Sequence, residues 1–238
     1  MSQRKGKYDR HRLARHGDLD IAVDATLRAT AVRAPRLPLR VSPQDLRRKV
    51  REHRSPYAVC FVLDNSWSIH AERMVEQAKG VVFRLLEEAA TRGDRVALVA
   101  FRGGLPEATV ALPLTKSLPL ARHRLGKVPL SGQTPLADAI RLGRTLLRQE
   151  LFKHPNAVPL LVLVTDGLPT VALAQGGDPL ADALAEARAL RRSHVLCVVA
   201  DTSGDGHADE LAEAAGGVCF PVERLARETL VATLEALA

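Results

Sequence analysis

The sequence predicts an α/β protein with a Rossmann-like, doubly wound sheet that is mostly parallel, has one antiparallel edge strand and carries helices on both faces. Three observations predict this fold class. Short, continuous apolar runs recur along the chain, as expected for strands that are buried on both faces. Amphipathic segments with helical periodicity separate most of these runs, which indicates crossover connections. One pair of runs is separated only by a short segment with Gly103 and Gly104, which predicts a hairpin and therefore one antiparallel pair.

The apolar runs define six predicted strands. Pro113 lies in the third of them and supports an edge position for that strand, because proline cannot donate to a sheet ladder. The predicted strands span residues 57–63, 95–101, 108–114, 158–165, 194–200 and 218–222.

The predicted helices follow from apolar stripes and from end signals. In residues 70–92 apolar side chains recur at spacings of three and four, and Gly93 ends the helix. The other predicted helices span residues 117–127, 135–152, 178–193, 208–216 and a final segment from Glu223.

The part of the chain before the first strand is predicted to contain two short elements. Residues 21–32 form an amphipathic piece. Ser42 as N-cap, Pro43 at the first helical position and Asp45 in the first turn predict a helix over VSPQDLRRKVREHR, residues 41–54.

Charge divides the chain into a basic part and a nearly neutral part. Residues 1–58 hold 15 lysines and arginines against 6 aspartates and glutamates, and the remainder holds 19 against 21. We therefore expect a flexible basic segment at 1–20, a basic extension at 21–56 that packs on the domain, and one α/β domain at 57–238. The basic part is either a solvated linker or a dock for an acidic partner. It has no recognisable nucleic-acid motif, so a basic nucleic-acid-binding protein is the weaker alternative.

Composition favours a cytoplasmic protein. The three cysteines sit in apolar runs without C-x-x-C spacing, which predicts buried reduced thiols rather than a zinc site or a disulfide framework. No apolar run reaches the roughly 18 residues that a membrane helix needs. The first residues, MSQRKGKYDRHRLARHGD, lack the apolar core of a secretory signal.

Several side chains with oxygen atoms lie in the loops that follow or connect the predicted strands. In doubly wound sheets, functional groups gather at the carboxyl ends of the strands. Asp64, Ser66 and Ser68 follow the first strand, Thr134 precedes a helix, and Asp166 follows the fourth strand. Residues at i and i+2 of a loop can aim the same way, so both serines can reach one ion. This all-oxygen set suits a hard divalent cation, Mg²⁺ first, with Mn²⁺ or Ca²⁺ as alternatives.

Each of these residues also has an ordinary structural explanation. Ser66 and Thr134 can act as helix N-caps, and Asp166 can form a turn. A serine hydrolase that uses Ser66 or Ser68 with His70 and Asp64 is the competing enzyme hypothesis. Neighbours in sequence rarely form a triad, and G-x-S-x-G is absent. The ordered combination therefore favours a metal site.

The order D-x-S-x-S after a strand, then SGQTPL, then LVTDG resembles the von Willebrand factor A (integrin I-like) domain with its metal-ion-dependent adhesion site. The segments ATLRAT, DLRRKVREHRS, ERMVEQAKG, GDRVALVAFRG, LPLTKS and GQTPLADAI further resemble the C-terminal domain of the D subunits of magnesium or cobalt chelatases. The resemblance extends from about residue 20 to near the C-terminus. It implies the metal ligands Asp64, Ser66, Ser68, Thr134 and Asp166.

The rim of the site departs from this family. Trp67, the single tryptophan, stands where the family often has glycine, and Ile69 stands where methionine is common. We expect the rim residues to contact a partner, with Trp67 as an anchor or as an apolar cap on the ion. The predicted rim is Asn65, Trp67, Gln133 and Gly167.

The resemblance implies an interaction subunit that is not catalytic alone. It would dock a carboxylate of a separate AAA+ ATPase in a magnesium or cobalt chelatase-like complex. The alternative is a partner of a MoxR-type chaperone that is unrelated to tetrapyrroles. The sequence lacks G-x-x-x-x-G-K-[ST], so ATP binding through a P-loop is not expected.

Overall fold

A computed structural model contains two compact units, Met1–Ser55 and Pro56–Ala238. It describes residues 7–15, 17–52, 55–64, 80, 83–84, 87, 94–101, 107–125, 132–225 and 229. No helix among these residues is long and apolar enough to cross a membrane.

The first unit is built on a two-stranded antiparallel ribbon. Strand β1 (Lys7–Leu13) pairs with strand β2 (Arg47–Glu52), with an irregularity in register near the start of β1. Helix α1 (Val23–Arg33) lies between them in the chain. The residues of β1, which were expected in a flexible segment, therefore form a regular element.

The helix predicted over residues 41–54 is wrong. Only a 3₁₀ turn, Pro43–Asp45, forms where the N-cap signal stands, and the chain then continues as β2. The capping interaction exists, because Ser42 N donates to the Asp45 carboxylate at 2.8 Å. Pairing with β1 supplies the following residues with backbone partners, and this tertiary pairing overrides their helix propensity.

Asp45 anchors the turn of the first unit. Its side chain is 3% exposed, and Arg33 donates to it from Nε at 2.9 Å and from Nη2 at 2.8 Å. These hydrogen bonds from Arg33 are the main reason that the pKa of Asp45 is lowered to about 2.

The second unit contains a six-stranded sheet with the order β5-β4-β3-β6-β7-β8. All neighbouring strands are parallel except β4 and β5, which pair antiparallel at the edge. The predicted fold class is confirmed, including the edge position of the strand that holds Pro113. The strands are β3 (Tyr57–Leu63), β4 (Arg95–Phe101), β5 (Ala108–Thr115), β6 (Val158–Thr165), β7 (Leu196–Asp201) and β8 (Val218–Pro221).

The helices of this unit agree with the apolar stripes to within two residues at each end. Of the predicted helix 70–92 the structure describes only four residues, all helical, and most of the final predicted helix likewise lies outside the described residues. The described helices are α2 (Leu118–Leu125), α3 (Leu136–Lys153), α4 (Pro179–Arg192) and α5 (His207–Ala215).

Alternate residues of the central strands point to two hydrophobic clusters, one on each face of the sheet. Cys60 and Leu161 belong to the cluster that includes α3, α4 and α5, and Phe61 and Leu160 belong to the opposite one. Helix α3 approaches the sheet closely at Gly143, where an added Cβ would lie 2.6 Å from a Leu161 methyl carbon.

The cysteines are free thiols, and two of them are fully buried. Burial raises the pKa of Cys60 and of Cys197 to about 12. Cys219 is only partly buried, which differs from the expected full burial.

An ion pair lies at the amino edge of the sheet. Glu150, in the last turn of α3, is 4% exposed, and its Oε1 atom lies 3.2 Å from Arg95 Nε at the start of β4. This pair ties the end of α3 to the sheet.

The direction of winding reverses between β3 and β6. The chain leaves β3 for β4 on one side, and β6 is followed by β7 on the other side. In doubly wound sheets, ligands bind outside the carboxyl ends of the strands at such a switch point. The residues that follow β3 and β6 are therefore the first place to look for a site.

Candidate metal centre

Asp64 follows β3 at the switch point and lies beside the end of β6. Leu63 pairs with Val164 in the parallel register, and Asp64 N continues the ladder by donating to Val164 O at 2.8 Å. The Asp64 side chain is partly exposed. This register brings the first predicted carboxylate next to Thr165, one residue before the second.

Thr165 connects the two strand ends through its side chain. Its hydroxyl Oγ1 donates to Asp64 Oδ2 at 2.9 Å and accepts from Gly167 N at 3.1 Å. Thr165 is 1% exposed; its bond from Gly167 N is buried, and its bond to Asp64 is partly buried. The hydroxyl thus fixes the orientation of the Asp64 carboxylate and the start of the loop after β6.

Asp166 lies in that loop and is partly exposed. Its Oδ1 atom accepts a hydrogen bond from Leu168 N at 2.9 Å, which is the turn geometry expected for an aspartate before a glycine. The turn orients one carboxylate oxygen through the backbone, and the other oxygen forms no hydrogen bond within the described part of the chain.

Thr134 is held from its backbone, not from its side chain. Thr134 N donates to Thr170 Oγ1 at 2.8 Å, and Thr170 N donates to Thr134 O at 3.1 Å. Thr134 is 3% exposed, and within the described part of the chain its hydroxyl has no hydrogen-bond partner. The loop before α3 is therefore attached to the loop after β6 while the Thr134 hydroxyl is left for another contact.

Gly167 is required by the backbone and by packing. Its φ is +83°, and an added Cβ would lie 2.6 Å from both His207 C and Ala208 N at the start of α5. The residue is buried, so its role is to let the loop after β6 contact α5 closely. Of the predicted rim, Gln133 is exposed and Gly167 is not.

The structure describes part of the predicted site. Asp64 and Asp166 follow adjacent strands, and the loop of Thr134 is bonded to the loop that contains Asp166. Four residues lie outside the described residues, namely Asn65, Ser66, Trp67 and Ser68.

Two residues that support the site were not predicted from the sequence. Thr165 was assigned only to the end of a strand, although the T-D-G sequence places a hydroxyl directly before a carboxylate. Thr170 carries no local signal, because its bond to Thr134 spans 36 positions in the chain.

The donor atoms fit a hard divalent cation. Asp64, Asp166 and Thr134 offer only carboxylate and hydroxyl oxygens, which Mg²⁺, Mn²⁺ and Ca²⁺ prefer. Among the described residues, no three histidine, cysteine, aspartate or glutamate side chains form a metal-ligating cluster. Any ion held here would therefore depend on hydroxyl ligands as well as on the two carboxylates.

Comparison with family models gives two matches. Residues 59–168 match the von Willebrand factor type A domain, and residues 5–51 match the AAPxQ domain. The first match spans β3 to the loop after β6 and includes every residue of the candidate site. The second covers most of the first unit.

Curated relatives include subunits of magnesium chelatases. The magnesium-chelatase 60 kDa subunit of Cereibacter sphaeroides is 38% identical over 69% of this chain and 29% of its own length. The 67 kDa subunit of Heliobacterium mobile is 30% identical over 98% of this chain and 38% of its own length. An uncharacterised protein of Mycobacterium tuberculosis is 35% identical over 84% of this chain and 32% of its own length. The chain thus spans about a third of each of these relatives.

Solved structures agree with the fold. The von Willebrand factor domain of the pilus tip protein Mfa5 from Porphyromonas gingivalis has a TM-score of 0.58 at 12% identity, over 76% of this chain and 96% of that one. Manganese-loaded TRAP protein from Plasmodium vivax has a TM-score of 0.50 at 15% identity, over 76% of this chain and 72% of that one. At these identities the likeness concerns the fold.

Proposed function

Because the region from β3 to the loop after β6 belongs to the von Willebrand factor type A domain family, we propose that this chain is a divalent-metal-binding interaction module of a chelatase-like complex. The ion is Mg²⁺ in this proposal, with Mn²⁺ or Ca²⁺ as substitutes. A carboxylate of a partner protein supplies the last ligand. The proposed protein ligands are Asp64, Ser66, Ser68, Thr134 and Asp166.

The observation that carries the proposal is the hydrogen bond between Thr165 Oγ1 and Asp64 Oδ2 at 2.9 Å. It joins the ends of two adjacent parallel strands at the point where the winding of the sheet reverses. A buried hydroxyl that fixes a partly exposed carboxylate at this point is suited to orienting a metal ligand, as well as to stabilising the start of the loop.

The residues of this chain have three tasks in the proposed mechanism. Thr165 and the turn at Asp166 orient the two carboxylates, so that little reorganisation is needed on binding. Thr134 offers a neutral hydroxyl from a loop that is held by Thr170. When bound, the ion supplies a strong positive charge that attracts the partner's carboxylate, because neutral hydroxyls neutralise less of its charge than carboxylates would.

Similarity to magnesium-chelatase subunits supports the wider assignment. We propose that the partner is a separate AAA+ ATPase and that this chain is not catalytic alone. Two kinds of complex would use this contact between the bound ion and a partner's carboxylate. One inserts Mg²⁺ or Co²⁺ into a tetrapyrrole, and the other is a MoxR-type chaperone complex. The chelatase-like complex is preferred because three of the similar proteins described above match over most of this chain and two of them are magnesium-chelatase subunits.

The first experiment measures metal binding by the full chain alone. We expect Mg²⁺ to bind by titration calorimetry and to change the emission of Trp67, which lies between two proposed ligands and is the single tryptophan. Asp64→Asn should abolish binding. The matched control is Asp205→Asn, since Asp205 is exposed in the loop after β7 and its carboxylate forms no hydrogen bond among the described residues. Unchanged Mg²⁺ affinity in Asp64→Asn would contradict the proposed site.

The second experiment measures association with the AAA+ ATPase encoded nearest to this chain's gene. Association should require Mg²⁺ and should be lost in EDTA and in Asp64→Asn. Trp67→Gly should weaken association without lowering Mg²⁺ affinity if the indole contacts the partner. Equal association in EDTA would refute carboxylate docking through the metal while leaving metal binding itself intact.

A further inference from the structure

The ribbon of the first unit is strongly basic. Its two strands contain seven basic residues and two acidic ones among 13 positions. The basic positions are Lys7, Arg10, Arg12, Arg47, Arg48, Lys49 and Arg51.

Four acids of the first unit form ion pairs with arginines among the described residues. Asp18 binds Arg48 at 2.9 Å, and Asp45 binds Arg33 at 2.8 Å. Arg12 is exposed and forms no salt bridge among the described residues. On β1 itself, Asp9 lies 3.7 Å from Arg10, but both side chains are more than half exposed, and the single acid leaves the strand with an excess of positive charge.

The hydrogen bonds around the ribbon show which backbone groups of β1 point outward. Ala14 N donates to Leu46 O at 2.9 Å, so residues two and four positions before Ala14 also face β2. The residues between them, His11 and Leu13, therefore direct their N–H and C=O groups to the other edge. The outer edge of β2 shows the same alternation. The backbone N–H of Lys49, which is paired with His11, points away from β1 and donates to Asp20 O at 2.8 Å.

The two edges of the ribbon differ. The outer edge of β2 is covered by the chain near Ile21, which forms a bridge with Arg48. No strand of the described residues pairs with the outer edge of β1. Both outward-directed residues are exposed, and Leu13 is 57% exposed. We call the outward backbone groups of His11 and Leu13, flanked by Arg10 and Arg12, the open edge.

We propose that the open edge binds an extended acidic segment of a partner protein, which adds to the ribbon as a third strand. Unpaired backbone donors and acceptors recognise an extended polypeptide, and the arginines that alternate with them select negative side chains. A second copy of this chain is disfavoured, because antiparallel pairing of β1 with itself would place like charges opposite each other. Nucleic acid could use the charge but not the row of backbone groups. This surface contains no residue of the proposed metal centre.

The test uses the full chain and a fluorescent seven-residue peptide of alternating glutamate and valine, matched to the length of β1. Binding is followed by anisotropy. The same peptide with glutamine for glutamate removes the charge, and a version with every backbone nitrogen methylated keeps the charge but removes the hydrogen-bond donors. We expect both changes to abolish binding.

The protein variant is Arg10→Glu with Arg12→Glu. It should weaken peptide binding about tenfold or more, since two attractive contacts become repulsive. The matched control is Arg148→Glu with Arg188→Glu, two exposed arginines on helices of the second unit, which should bind like the unmodified chain. Circular dichroism of each variant verifies that the chain is folded.

Three outcomes would overturn the proposal. Equal binding of the methylated peptide would show that charge acts without strand addition. Tighter binding of an oligonucleotide with the same number of charges would identify a nucleic-acid surface. No binding of the acidic peptide would show that the charges on β1 only protect an edge from aggregation.

Discussion

Replacing Thr165 by valine tests whether a buried hydroxyl organises the candidate site. Valine has nearly the same shape, so the substitution removes two hydrogen bonds and leaves the packing in place. The bond to the Asp64 carboxylate contributes about 1.5–3 kcal/mol and the bond from Gly167 N about 0.5–1.5 kcal/mol. We expect Thr165→Val to lower the free energy of unfolding by about 2–4 kcal/mol, because Gly167 N–H also loses its buried acceptor.

The effect on metal binding separates orientation from stability. Loss of an outer partner of a ligating carboxylate typically lowers metal affinity about 10–100-fold, and we expect this range for Mg²⁺ in Thr165→Val. Thr165→Ser is the control, because it keeps the hydroxyl and loses a buried methyl group worth about 1 kcal/mol. Urea unfolding and Mg²⁺ titration are measured for both. Wild-type Mg²⁺ affinity in Thr165→Val, or equal loss of affinity in Thr165→Ser, would refute the argument.

Three further predictions concern stability and reactivity. Asp45 has a pKa of about 2 in the folded chain against an ordinary 3.8. Its carboxylate therefore stabilises the fold above about pH 4, and this contribution is lost as the pH falls toward 2. Urea unfolding of the first unit should show this pH dependence, and Asp45→Asn should remove the pH dependence. Gly143→Ala should destabilise the second unit by about 1 kcal/mol, since overpacking of about 1–3 kcal/mol exceeds the gain in helix propensity. Gly80→Ala, whose added Cβ would meet no atom of the described residues within 4 Å, should be neutral or stabilising in the same unfolding assay. Cys60 and Cys197, with pKa values raised to about 12 by burial, should resist iodoacetamide at pH 8 in the folded chain and react only in denaturant, as mass spectrometry would show.

The sheet could be predicted from the sequence because its central strands are short, continuous apolar runs. YAVCFVL and VPLLVLV are two such runs, as expected for strands that are covered on both faces. The ribbon of the first unit could not be predicted in this way. RRKVRE has no apolar alternation, and its strand conformation depends on pairing with β1, which lies more than 30 residues away.

The candidate site was predictable where chemistry and strand ends coincide. Asp64 directly follows one apolar run and Asp166 follows another after a single threonine, and parallel pairing of those runs brings both carboxylates to the same edge. The hydrogen bond from Thr134 N to Thr170 Oγ1 was not predictable, because it depends on the geometry of two loops rather than on a local sequence pattern. The burial of Gly167 was missed for a similar reason, since its neighbour, the start of α5, comes 40 residues later in the chain.

Helix α3 runs from the loop of Thr134 at the carboxyl edge of the sheet to the amino edge without a break. It begins two residues after Thr134, has 18 residues and is therefore about 27 Å long, and its last turn carries Glu150 beside Arg95 at the opposite edge of the sheet. Because close-packed interiors transmit strain, a displacement of Thr134 toward a bound ion would be passed along this helix toward that ion pair. The ion pair at the amino edge of the sheet would then change its geometry when an ion binds at the carboxyl edge. A fluorescent label near Lys116, which lines one surface pocket with Arg95 and Glu150, would detect this change.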